Sequence, residues 1–195
     1  MNDMGVINTG YEAHPYHDLT RAIQDWFEGQ QIVNNPCGFA CQINSNSIVA
    51  SVLLPCMYKV CKEVKGNLGM IFIDGTSGLM STPKINIIWI HIVTQGRSQI
   101  VGQILTSGKT TVEYETGLQQ WKGLLTGNQV QCPFTDQAEG TFVGYNFVPL
   151  KQLEVDSTMS DKELALLNAT KSILSPNHQI LCRYYSISFL ILAIS

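Results

Sequence analysis

Between residues 85 and 115 the hydrophobic positions run or alternate with a period of two through two chain reversals, which is the pattern of strands and not of helices. Residues 85–93 (INIIWIHIV) form a β-rich apolar run, 94–97 (TQGR) a turn, and 98–105 (SQIVGQIL) alternates. A second turn at 106–109 (TSGK) leads into 110–115 (TTVEYE), which alternates again. Together these predict an antiparallel meander of three strands. Its first strand carries Ile87, Trp89 and Val93 on one face and Ile88, Ile90 and Ile92 on the other. It is expected at the centre of the sheet, covered on both sides, with His91 deep inside. The third strand, with Val112 and Tyr114 set against Thr111, Glu113 and Glu115, is expected at a solvated edge.

Elsewhere a helical period competes with the strand period. Leu19, Ile23, Trp26 and Phe27 predict a helix over 17–29 that stops at Gly29. Residues 30–43, with Pro36 and Gly38, read as one irregular strand or two short pieces. The stretch 47–65 has two readings: one helix capped by Ser47, or a strand over 48–54 followed by a helix that opens on Pro55. Proline in a helix interior costs about 3 kcal/mol, whereas it suits a first helical position. A strand over 68–74, a loop over 75–83, a helix over 117–125 closed by Gly127-Asn128 and a strand over 141–148 follow. Ser160-x-x-Glu163 has the form of a capping box and predicts a helix over 160–174, stopped before Pro176. Residues 1–15 read as a flexible lead, and the apolar stretch 180–195 as either a buried strand or a tail that needs a partner. The whole predicts a single α+β domain over residues 1–195, an antiparallel meander sheet with packed helices.

Composition narrows the function classes. Of 195 residues, 14 % are charged and 45 % hydrophobic, which suits a packed domain with much buried or partner-covered surface and excludes disorder. The net charge is −3 and Lys and Arg are scattered, so nucleic acid is not an expected partner. No uncharged apolar run of membrane-spanning length is present, and residues 1–18 have no signal-peptide pattern; with six cysteines, this predicts reduced thiols and a cytoplasmic setting.

Candidate chemistry gathers at two places. Cys37 follows Asn34-Asn35-Pro36 and precedes Gly38, so its thiol could act as a nucleophile, with His91 as base and Asp136 or Asn146 to orient it. The pairs Cys37/Cys41 and Cys56/Cys61 are spaced more widely than zinc pairs usually are and read as buried thiols, and no metal or cofactor is expected. The second place is Asp74, a carboxylate at the end of an apolar strand, with Thr76 and Ser77 in the loop after it. A rigid edge followed by small hydroxyl residues is a common way to present polar groups to a ligand. Gly102 to Thr110 resembles a phosphate-binding loop but has five residues between its glycines where that motif needs four, and it reads as a turn. The expected function is a small module that binds a small ligand or a protein partner and could self-associate. The alternatives are a thiol-dependent hydrolase built on Cys37 and His91, and a structural assembly subunit.

Overall fold

The computed structural model describes residues 16–44, 47–76, 85–128, 138–160 and 163–181. In chain order these form α1 (His17–Ile32), β1 (Gly38–Asn44), β2 (Ser47–Leu53), α2 (Pro55–Glu63), β3 (Asn67–Thr76), β4 (Asn86–Thr94), β5 (Arg97–Thr106), α3 (Thr111–Thr126), β6 (Ala138–Tyr145), β7 (Glu154–Ser160), α4 (Leu164–Leu174) and β8 (His178–Leu181). The described strands share one sheet in the order β6-β1-β2-β5-β4-β3-β7-β8. Its pairs are antiparallel except β3–β7 and β7–β8, which are parallel. The fold is α+β with a mixed, mostly antiparallel sheet.

The β4–β5 hairpin forms where the alternation places it. Gln95 and Gly96 both have positive φ, 52° and 72°, as the two-residue turn matching the twist of the flanking strands requires. The meander stops there. Residues 110–115 begin α3 and are not a third strand: the Thr110 hydroxyl accepts from the Glu113 amide at 3.2 Å, and the Glu113 carboxylate accepts from the Thr110 amide at 3.1 Å. This reciprocal cap satisfies two donors that a helix start otherwise leaves orphaned. Tyr114, Leu118, Trp121 and Leu125 then recur on one buried stripe, and six alternating residues are too few to outweigh that longer period.

At 47–65 the proline decides for strand and then helix: β2 ends at Leu53 and Pro55 opens α2. Helix α1 runs through Gly29 to Ile32. The 141–148 strand is β6, which ends at Tyr145 and pairs with β1 at the edge of the sheet far from β7 and β8. Ser160 caps no helix. It is the last residue of β7, paired with Ile73 on one side and Leu181 on the other, and Glu163 takes the N-cap position of α4. Of the stretch 180–195, Ile180 and Leu181 belong to β8, an exposed edge strand; the remainder, like 1–15, lies outside the described residues.

Helices α2, α3 and α4 pack on one face of the sheet through Met57, Cys61, Leu118, Trp121, Leu166 and Ala169, against Ile71, Ile73, Ile88, Ile90, Ile92 and Ile104. Each aliphatic side chain fully buried there contributes about 1.5–3 kcal/mol. On the other face α1 places Ile23 and Phe27 over Cys37, Phe39, Cys41, Ile43, Ile48 and Ala50. That cover reaches only β1, β2 and the starts of β4 and the end of β5, through Ile85, Ile87 and Leu105. Strand β4 is therefore not enclosed on both sides. Ile88, Ile90 and Ile92 are buried, while Ile87, Trp89 and His91 are half-buried and Val93 is 53 % exposed.

Candidate functional site

Asp74 sits inside β3, directly opposite Trp89 of β4, with an exposed side chain. Thr76, also exposed, lies two residues on and opposite Ile87. Ser77 lies outside the described residues. Asp74 thus projects from regular strand, where backbone pairing fixes its position more firmly than a loop would.

Topology gives the place its character. β3 and β7 are parallel neighbours, and the last pair between them is Ile73 with Ser160. β3 continues past that row, so Asp74 to Thr76 have β4 on one side and, among the described residues, no strand on the other. After β3 the chain turns back to β4; after β7 it passes through α4 to β8, on the opposite side. The carboxyl ends of adjacent parallel strands whose onward connections diverge are the position at which open sheets with helices bind their ligands. Tyr114 of α3 braces the entry to α4, its hydroxyl donating to Glu163 Oε1 at 2.8 Å.

His91 and Ser98 adjoin this corner. His91 pairs with Phe72, two rows from Asp74's partner Trp89, which brings the imidazole and the carboxylate onto the same face as diagonal neighbours. Burial pushes the His91 pKa down, and the nearby Asp74 charge pushes it partly back up. The ring is neutral at physiological pH and offers one donor and one acceptor. Ser98 Oγ lies 3.5 Å from His91 Nδ1. Trp89, Phe72 and Ile100 supply the apolar surroundings.

No family model, curated protein or solved structure matches the chain. Its chemistry therefore rests on its own residues. Cys37 immediately precedes β1, and β2 and β5 stand between β1 and the β4 strand of His91. Three strand steps of about 4.8 Å separate them by roughly 14 Å, so the structure does not bring thiol and imidazole together. Asn146 does meet Cys37, but through the main chain: its Oδ1 accepts from the Cys37 amide at 2.7 Å. Asp136 lies outside the described residues. Burial pushes the Cys37 thiol up to about 11, away from the thiolate a nucleophile needs. Cys37 and Cys41 lie under α1, Cys61 lies in the opposite cluster, and Cys56 is exposed, so the four do not converge on one point.

Proposed function

We propose that this protein is a ligand-binding α+β module whose site lies at the carboxyl ends of β3 and β7, with Asp74 as the anchoring carboxylate and Thr76 as a supporting hydroxyl. The ligand's matching group is a cation, either a divalent metal ion, which oxygen donors of this kind favour, or an organic ammonium. The divergence of the chain at Ile73 and Ser160, with a carboxylate one residue beyond, is the observation that carries this reading. His91, neutral and diagonal to Asp74, accepts or donates at the rim.

Calorimetric titration with Mg²⁺, Mn²⁺ and a panel of small amines tests it. Binding by the intact chain, weakened at least about tenfold in Asp74→Asn, is expected, since loss of a charge-assisted contact costs about 1.5–3 kcal/mol. The class that binds identifies the cation. Equal affinity in the Asn variant removes Asp74 from the site.

A further inference from the structure

Asp74 of β3, His91 of β4 and Ser98 of β5 stand on three neighbouring strands, on the face of the sheet opposite α2, α3 and α4. A regular β4–β5 ladder would not put Ser98 there. Ile90 pairs with Gly102, but His91 pairs with Ile100, so Val101 is an extra residue on β5. This bulge reverses the alternation. Had the ladder run straight on, Gln99 and not Ser98 would stand opposite Val93 and share the face of His91. Helix α3 holds the bulge in place: the Val101 carbonyl accepts from the buried Trp121 indole at 2.9 Å, and a Cβ on Gly102 would overlap that indole.

We propose that Asp74, His91 and Ser98 form a nucleophilic relay acting on esters of small apolar acyl groups, with Ser98 as nucleophile, His91 as base and Asp74 as the positioning residue for His91. A hydroxyl is activated by a base within reach that a third group orients. Ser98 Oγ lies 3.5 Å from His91 Nδ1, and the Asp74 charge acts on the ring from the strand on the other side. Ser98 is exposed and His91 half-buried, so an ester reaches the hydroxyl while the ring is held between two strands. Val93, opposite Ser98, and Ile100, opposite His91, are 53 % and 38 % exposed and give the acyl group an apolar seat. In the first step Ser98 Oγ bonds the acyl carbon and its proton passes to His91 Nδ1. His91 returns that proton to the departing oxygen, which leaves as the alcohol. Water then repeats the exchange on acyl-Ser98 and releases the carboxylic acid. The relay goes beyond the cation reading: it shares Asp74 with it but needs no cation.

The experiment treats the full chain with a fluorophosphonate, in EDTA and without amines, and maps the adduct by mass spectrometry. An adduct on Ser98, formed about a hundredfold more slowly in His91→Gln, is the expected result. Asp74→Asn should slow labelling and Asp74→Glu should restore much of it, a pattern that lost packing alone does not give. No adduct, an adduct on another residue, or equal rates in the wild type and His91→Gln would overturn the relay. Treatment of the wild type with p-nitrophenyl butyrate gives a reading that depends on no variant: the butyryl group is expected on Ser98, and its transfer only to other residues would equally overturn the proposal. Because labelling uses no cation, failed labelling beside calorimetric binding at Asp74 removes the relay alone, and labelled Ser98 without such binding removes the cation alone.

Discussion

Cys56 is exposed in the first turn of α2, while Cys37, Cys41 and Cys61 are buried. Burial pushes Cys61 up to about 12 and Cys37 up to about 11, against an ordinary 9.0. At neutral pH the Cys37 thiolate is thus about a hundredfold scarcer than that of an ordinary cysteine, before access is counted. Iodoacetamide labelling followed by peptide mapping should therefore modify Cys56 to completion while Cys37 and Cys61 remain intact, and labelling of Cys37 as fast as Cys56 would contradict its burial. Sequence separates Cys56 from Cys61 poorly, because both fall on one apolar stripe of the helical period, and only the packing of α2 leaves the first exposed and buries the second. His91 shows the same limit. Its alternation with Ile90 and Ile92 assigns it to the opposite face correctly, but the exposure of that face depends on how far α1 extends across the sheet.

At the scale of elements, α3 shows how one local signal can be outvoted. The run TTVEYE alternates, yet Thr110 and Glu113 form a reciprocal cap, and Gly117 faces the Ile104 and Val49 side chains. A Cβ at 117 would overlap the Ile104 side chain, so the glycine is there for packing and not for flexibility. Thr110→Ala should lower the stability of the protein by about 1–2 kcal/mol, and Thr110→Ser by much less, as read from urea midpoints. A neutral Thr110→Ala would mean that the helix does not start there. β7 was illegible for the converse reason: its inward side chains include Thr158 and Ser160, at 2 % and 3 % exposure, so a strand with a buried face carries no hydrophobic stripe. The same Ser160, three residues before Glu163, imitates a cap that the chain does not use.

The molecule as a whole is one sheet with an apolar cluster on each face. β2 joins them, since Ile48 and Ala50 enter the cluster under α1 while Val49 and Leu53 enter the one under α2 and α3. Shared strands make separate melting costly, because losing either cluster strips one side of β2. Protein labelled with 5-fluorotryptophan should therefore lose the native ¹⁹F resonances of Trp26, beside the first cluster, and Trp121, in the second, at the same denaturant concentration. Earlier loss of Trp26 would make the α1 half an independent unit.

The sequence by itself determined the class of the fold, the β4–β5 hairpin with its Gln95-Gly96 turn, the β3 strand, and the helical start at Pro55 as one of two readings. Each of these rests on neighbours within a few residues, where backbone geometry and turn chemistry act directly. Only the tertiary structure decided that β7 lies parallel beside β3, that the onward connections of these two strands diverge next to Asp74, that three strand steps part Cys37 from His91, and that α1 does not extend over the whole of one face of β4. Those facts depend on which strands pair across long stretches of chain, and that pairing is settled by the burial of whole faces together, a quantity no local pattern contains.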